Sequence, residues 1–307
     1  MIVCCGEALI DMLPRQLASG ETALLPASGG AIFNTAIALG RLGAPVEFFS
    51  GLSNDLFGEQ LREALAKSNV GTRYAQLSDR PTTLAFVKLT DGKAAYTFYD
   101  ENTAGRMLTP DDLPEFADDV QAVHFGAISL VSEPCGSAYE ALMQREEPRR
   151  VIMFDPNIRP GFIRDRATHL ARMHRMLGLA DIVKVSDEDL EWLGRDGSAE
   201  DTLRKWLERG PKLAIMTAGA DGALAVAKSG AVRVPAVTVK VVDTVGAGDT
   251  FNAGVLAWLN EAGLLTKPAL EQISSPDIEA AIRLGARAAA VTVSRAGANP
   301  PWRRELE

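Results

Sequence analysis

Val242-Asp243-Thr244-Val245-Gly246-Ala247-Gly248-Asp249-Thr250-Phe251 is the stretch on which the reading of this chain turns. Three small residues meet a single carboxylate where a helix should begin. Downstream, Phe251, Val255, Leu256, Trp258 and Leu259 recur at helical spacing. Upstream, Val232 to Val242 is apolar and β-branched but interrupted by Pro235, and reads as one or two short strands. Gly246-Ala247-Gly248 therefore falls on a strand-to-helix turn. The first amides of a helix have no partner inside it, so the N–H groups of Gly246, Ala247 and Gly248 can gather round an anion. Asp249 then stands beside that anion as a candidate base, although a glycine-rich turn with an early aspartate is also ordinary helix-start chemistry.

The rest of the chain alternates. Ile2 to Cys5, Val46 to Phe49, Ala122 to Leu130, Val151 to Phe154, Ile182 to Val185, Leu213 to Thr217 and Leu224 to Val226 are strand-like. Helical patterns separate many of them: a helix opened by Gly29-Gly30 and running through Leu42, then Leu56 to Ser68, Ser137 to Arg145, Arg166 to Leu177, Leu190 to Leu193 and Asp201 to Leu207. An Ala-rich helix from Ile278 to Val293 closes the chain. Strand alternating with helix predicts an α/β fold: a mostly parallel sheet with helices on both faces and ligands outside the carboxyl ends of the strands. One region breaks the pattern. Thr82 to Leu89 and Ala94 to Tyr99 read as two strands around an Asp91-Gly92 turn, and Thr22 to Leu25 can add another. We expect one domain over 1–307 with a small β lid from about 12–27 and 81–104; an antiparallel extension of the main sheet is the alternative.

Composition narrows the function. The 307 residues are 47% hydrophobic and 23% charged, which is ordinary for a packed globular core. A net charge of -8 argues against nucleic acid or an anionic membrane as partner, while a small anion remains open because helix ends act locally. Cys4, Cys5 and Cys135 form an odd set without metal-type spacing, and His124, His169 and His174 are scattered, so a reducing compartment fits better than a zinc site. The first basic residue is Arg15, and no apolar run approaches the ~20 residues needed to span a bilayer. A cytoplasmic protein is the expectation.

The whole Asp-Thr-Val-Gly-Ala-Gly-Asp-Thr-Phe string resembles the C-terminal signature of the ribokinase-like, or PfkB, sugar kinases. The resemblance extends in order over nearly the whole chain, and implies a ribokinase-like three-layer sandwich. Gly6-Glu7-Ala8-Leu9-Ile10-Asp11 is similar to the family's first strand, where the aspartate accepts bonds from sugar hydroxyls as it leaves the strand end; by its chemistry alone Asp11 reads equally as a turn residue or cap. Gly29-Gly30-Ala31-Ile32-Phe33-Asn34-Thr35-Ala36 resembles the N-terminal signature. Paired glycines let amides approach a sugar, and Asn34 offers a donor and an acceptor. Asp155-Pro156-Asn157-Ile158-Arg159-Pro160 resembles a segment of fructokinases and 2-keto-3-deoxygluconate kinases, with Arg159 open to a substrate carboxylate, the moving phosphoryl group or a plain surface ion pair.

The nucleotide side rests on weaker matches. Ser186-Asp187-Glu188-Asp189 stands where the family has Asn-x-x-Glu, implying Asp189 near Mg²⁺, but serine followed by an acid three residues on is also a capping pattern. Lys184 precedes it, within reach of nucleotide phosphates. Thr217-Ala218-Gly219-Ala220-Asp221-Gly222 resembles the nucleotide loop, in which Thr217, Gly219 and Gly222 would leave room for ribose and phosphates. Asp243, Val245 and Gly297 match a monovalent-cation site of relatives, which implies K⁺, and Gly285 replaces an asparagine that relatives often carry near adenine.

These features imply ATP-dependent phosphorylation of a sugar, with Asp249 as base kept ionised by the helix end. Phe98-Tyr99 and Glu101 to Ala104 look most like fructokinases. A 2-keto-3-deoxygluconate kinase, a nucleoside kinase and a sugar-sensing protein on the same fold are the alternatives; an acidic sugar would demand extra cations, with Arg106 and Arg159 as candidates. A Walker-type loop is absent, and Phe251 stands where a dinucleotide fingerprint needs its third glycine. A homodimer through the lid is a further expectation from the family.

Overall fold

The computed structural model describes residues 1–90 and 93–307, with side chains described outside 87–96. In chain order the elements begin with β1 (Ile2–Cys5), β2 (Leu9–Gln16), β3 (Thr22–Gly29), α1 (Ala31–Arg41), β4 (Val46–Phe49), β5 (Gly51–Ser53), α2 (Leu56–Lys67), β6 (Val70–Gly71) and β7 (Gln76–Ser78). There follow β8 (Leu84–Thr90), β9 (Lys93–Tyr99), β10 (Ala122–Gly126), α3 (Cys135–Glu146), β11 (Val151–Asp155), α4 (Arg166–Leu179), β12 (Ile182–Ser186), α5 (Asp187–Leu193) and α6 (Ala199–Leu207). The chain ends with β13 (Leu213–Thr217), β14 (Ala223–Ala227), β15 (Gly230–Val234), α7 (Ala247–Glu261), α8 (Lys267–Glu271) and α9 (Ser275–Val293).

Nine strands form one sheet in the order β15-β14-β13-β12-β11-β10-β1-β4-β6. Pairing is parallel from β13 to β6 and antiparallel at β13-β14 and β14-β15. The apolar runs that mark these strands do not alternate with polar residues because both faces are covered. β1 shows this directly. Ile2 and Cys4 join the core under α1, α2, α7 and α9, while Val3 and Cys5 join the core under α3, α4, α5 and α6. Helix, sheet and helix make three layers, the ribokinase-like sandwich expected from the sequence. Each fully buried Leu, Ile or Phe contributes ~1.5–3 kcal/mol to holding them together.

β3, β2, β8 and β9 form a separate sheet, with β2-β8 parallel and the outer pairs antiparallel. It is longer than the sequence indicates, since β2 starts at Leu9 and β3 runs on to Gly29. Asp11 therefore lies inside a strand rather than at a strand's end. The expected Asp91-Gly92 turn falls outside the described residues.

Two strand boundaries differ from the sequence reading. The run expected from Ala122 to Leu130 is a strand only to Gly126, then a 3-10 turn at Ala127–Leu130. The apolar segment Val232 to Val242 yields strand only to Val234. Pro235 has no N–H to donate, so pairing stops, and the chain runs irregularly to α7, exposing Val237, Val241 and Val242.

α7 and α9 cross with their backbones nearly touching. A Cβ added at Gly254 would stand 2.6 Å from the Gly285 Cα, too close without moving a helix. Gly254→Ala should destabilise the fold by ~1–3 kcal/mol in urea unfolding, the usual penalty for overpacking. Gly161→Ala, whose added Cβ meets nothing within 4 Å, should stay within about 0.5 kcal/mol of the parent.

Candidate active site

The tip of α7 is built without a side-chain cap, Gly246 supplying the left-handed N-cap with φ 77°. The Ala247 amide turns back to donate to the Thr244 carbonyl at 3.3 Å, whereas the amides of Gly246 and Gly248 meet no protein acceptor among the described residues. Of the three amides expected to hold an anion, Ala247's is thus already engaged. Asp249 follows at the third helical position and is 7% exposed. Asn34 Nδ2 donates to its Oδ2 at 2.9 Å, and Asn157 Nδ2 approaches its Oδ1 at 3.5 Å. Burial pushes the Asp249 carboxyl up to about 7. The Asn34 bond opposes this, Asp155 adds to it, and Lys184 and Arg159 pull it back. The sequence reading had the helix end keeping this group ionised; desolvation outweighs the helix end.

Beneath the turn lies a buried polar column. Lys184 Nζ donates to Asp155 Oδ2 at 3.1 Å, and Asn252 Nδ2 donates to the same oxygen at 2.6 Å. Burial by itself would lower the Lys184 ammonium, but the Asp155, Asp189 and Asp249 carboxylates more than reverse this and hold it above its usual value. A Cβ on Gly248 would lie 3.0 Å from Lys184 Nζ, so the missing side chain lets the ammonium sit directly under the helix tip. His124, nearby on β10, is lowered to about 4 by burial and is neutral.

Asp189 is committed elsewhere. Its Oδ2 accepts from the Ser186 amide at 2.9 Å in a capping box, and its Oδ1 accepts from the Ile158 amide at 2.8 Å. The capping alternative fits this geometry, and Asp189 offers no oxygen free of a main-chain partner. Among the described residues no group of three or more His, Cys, Asp or Glu side chains is placed to hold a metal ion.

On the other side, Asp11, Ala85 and Phe98 are paired in one row across β2, β8 and β9, so their side chains share a face. Burial raises the Asp11 carboxyl to about 6. A Cβ on Gly29 would stand 2.3 Å from Asp11 Oδ2, and one on Gly30 would stand 2.8 Å from the Glu7 carbonyl oxygen. The glycine pair thus accommodates Asp11 and the Glu7 main chain. Phe98 meets Phe162 edge-on at 4.4 Å, tying the small sheet to the segment after Arg159. Between them is a cavity of about 570 Å³, lined by Glu7, Phe98, Asp100, Arg106, Phe162 and Arg164 among others. Asp11, Asn34 and Asp249 do not line it. Glu7 makes the connection: its Oε1 accepts from the Ala31 amide at 2.7 Å at the start of α1, the helix that presents Asn34 to Asp249. Arg159 is exposed, with one bond from Nη1 to the Ile158 carbonyl and no ion pair among the described residues.

The nucleotide-side residues meet less tightly. Thr217 is half-buried at the end of β13, followed by the Gly219–Asp221 turn. Space is open at Gly219, but a Cβ on Gly222 would strike the Val234 carbonyl at 2.1 Å. On its Cβ side Gly222 therefore packs against the end of β15, which requires a residue without a side chain. Gly285 likewise faces the Phe251 ring within the α7-α9 crossing. Asp243 does gather its partners: Oδ1 accepts from the Val245 amide at 3.1 Å and Oδ2 from the Gly297 amide at 2.8 Å.

Sequence reasoning did not single out Glu7, Asn157, Asp155 or Asn252 as site residues. A visible signal existed for Glu7, the one acid in the otherwise apolar run Ile2 to Ile10. The pairing of Asp155 with Lys184 and Asn252 joins positions far apart in sequence and left no local pattern.

A model of the pfkB family of carbohydrate kinases matches residues 1–304. A fructokinase of Rhizobium leguminosarum bv. trifolii is 56% identical over 285 residues, 93% of this chain and 86% of its own length. The crystal structure of a Xylella fastidiosa fructokinase with bound ATP is similar with a TM-score of 0.91 at 29% identity, covering 99% of this chain and 97% of that one. A Vibrio cholerae O395 fructokinase with fructose, ADP and calcium ion bound is similar with a TM-score of 0.84 at 28% identity, covering 97% and 94%.

The Asp249 carboxyl keeps its proton to about pH 7 when folded, against 3.8 as the ordinary value. Between these values the folded state binds more protons than the unfolded one, so this group's contribution makes stability decline as pH rises, levelling off above about 7. Asp249→Asn removes the decline. At pH 8 the variant should be more stable than the parent by roughly 2–4 kcal/mol in urea unfolding, with the difference nearly gone at pH 4. An equal difference at both pH values would mean that Asp249 titrates normally.

Proposed function

This chain belongs to the pfkB family of carbohydrate kinases, and from that premise we propose that it transfers the γ-phosphoryl group of ATP to fructose, giving fructose 6-phosphate. The observation that carries the reading is the buried Asp249 carboxylate, held by Asn34 beside helix-tip amides of Gly246 and Gly248 that no acceptor among the described residues engages. A general base works best with a pKa close to the operating pH. Asp249 takes the hydroxyl proton as the sugar oxygen attacks, and Asn34 holds its carboxylate in line. Gly246 and Gly248 amides receive the charge on the phosphoryl oxygens, reinforced by Lys184 from below. Asp11 accepts from sugar hydroxyls, with Gly29 leaving its carboxylate the space it occupies. Arg159, unpaired and close enough to act on Asp249, faces the phosphoryl group.

Mg²⁺ bound with ATP would neutralise the charge on its phosphates and would need only one or two protein contacts. Asp189 is not assigned to it, because both of its oxygens serve main-chain amides. Asp243 ties Val245 to Gly297, and carbonyls of these segments suit a monovalent cation such as K⁺. The nucleotide lies along Thr217 and Gly219. The small sheet acts as a lid on a single domain, closing over the sugar through Phe98 and excluding water. Exposed Leu24, Leu25 and Tyr99 on that sheet support a homodimer. Cys4, Cys5 and Cys135 are buried and unbonded, and no helix among the described residues is long and apolar enough to cross a membrane; both support a cytoplasmic setting.

Fructose is favoured over 2-keto-3-deoxygluconate by the charge facing the cavity. Among the groups lining it, Glu7, Asp100, Glu133 and Asp165 oppose Arg106, Arg164 and Arg172, leaving no surplus cation there for a carboxylate, while Arg159, outside that lining, is assigned to the phosphoryl group. A sensor would have no need of a base at Asp249.

A coupled assay of ADP release should show kcat/KM for fructose well above that for 2-keto-3-deoxygluconate or a ribonucleoside. The pH profile should fall tenfold per unit below about 7 and level above it, since the base must be deprotonated. Asp249→Asn should lower kcat by ~10²–10⁴-fold. An unchanged kcat in that variant, with the fold intact, overturns the assignment.

A further inference from the structure

Arg106, one of the two cations named for an acidic sugar, is already engaged. Arg106 lines the cavity, and its Nη1 donates to Asp100 Oδ1 at 2.9 Å. The other carboxylate oxygen of Asp100 accepts from Ser132 Oγ at 2.8 Å, and Arg106 Nε donates to the Glu133 carbonyl at 3.2 Å. Both members of the pair are partly shielded, with side chains 30% and 26% exposed. Asp100 is therefore held from two sides. Arg106 is held from two sides as well, and only one of its holds is a charge.

We propose that Asp100 is a specificity-determining residue: by neutralising Arg106 it keeps the cavity that Glu7 joins to the Asn34–Asp249 site unattractive to carboxylate-bearing acceptors and so restricts the enzyme to uncharged ketoses. The argument rests on the sugar-kinase reading above and concerns the same cavity. Discrimination often depends on a repulsive element as much as an attractive one, and a like charge set against a substrate carboxylate is such an element. The cavity places Asp100 two residues beyond Phe98, whose ring closes on Phe162, so a ligand covered by Phe98 meets Asp100 at the same wall. The remaining guanidiniums do not make up the loss. Arg172 is buried against Glu140 and Glu133, bonding Glu140 Oε2 at 3.1 Å. Arg164 is exposed at the rim. With Asp100 made neutral, Arg106 keeps its bond to the Glu133 carbonyl and still faces the cavity, now as an uncompensated cation. The balance then becomes three carboxylates against three guanidiniums.

The test compares fructose and 2-keto-3-deoxygluconate as acceptors for the parent and Asp100→Asn, reading kcat and KM separately. Asp100→Asn should raise the ratio of kcat/KM for the acid sugar to kcat/KM for fructose ~10-fold, mainly through KM for the acid sugar. Adding Arg106→Gln should erase the gain, which a general loosening of the cavity would not do. Asp100→Ser carries the same expectation if the asparagine variant does not fold, as judged by its melting temperature. A parent that uses fructose well while neither variant gains on the acid sugar, or a gain that survives Arg106→Gln, overturns the inference. A parent inactive on fructose strikes instead at the fructokinase reading.

Discussion

The bond from Asn34 to Asp249 is the contact on which the site depends. It joins two helix N-termini that are 215 residues apart in sequence. A second link runs alongside it, Thr35 Oγ1 donating to the Asp249 main-chain oxygen at 3.2 Å. A hydrogen bond to a charged group contributes ~1.5–3 kcal/mol, and here it also fixes where a nearly buried carboxylate points. α1 can present Asn34 only because Glu7 meets its first amide and because Gly29 leaves space for Asp11. Sugar-side and phosphate-side residues are thus positioned by one junction, which lies where the parallel strands end.

Much of the architecture was legible in the chain. Buried parallel strands must be apolar throughout, so Ile2 to Cys5, Val151 to Phe154 and Leu213 to Thr217 announce themselves without alternation. Boundaries were harder where two local signals competed. Pro235 ended a strand that the valines around it would have continued, and at Gly126 a turn cut short an apolar run. For the site, the glycine-rich stretch before α7 pointed to a carboxylate that the structure buries beside Asn34, but local sequence could not say how far it is desolvated. Nor could it say which glycines border open space and which are packed. Gly219 borders open space while Gly222, three residues on, is filled by Val234. Such distinctions depend on strands brought together from elsewhere.

Burying Asp249 places stability and chemistry in opposition. A carboxyl that prefers to stay protonated near neutrality weakens the fold once ionised, yet that raised pKa suits it to take a proton. The column below moderates the conflict. Lys184 and Asp155 compensate one another, so the ammonium can sit under the helix tip without standing as a lone buried charge. Asn252 adds a bond to Asp155 and keeps the pair in register with α7.

A protein of net charge -8 must still attract a polyanionic nucleotide, so the field within the cleft has to differ from the field around it. Partial positive charge is concentrated at one end, in the amides of Gly246 and Gly248 with the Lys184–Asp155 pair behind them. The other end carries Glu7, Asp100 and a neutralised Arg106. An acceptor with a phosphate or carboxylate of its own therefore meets repulsion at the sugar end, whichever way round it enters. An uncharged sugar meets none and is oriented by hydroxyl contacts alone. Such polarity gives the anion one place to lie and leaves the other end to an uncharged alcohol.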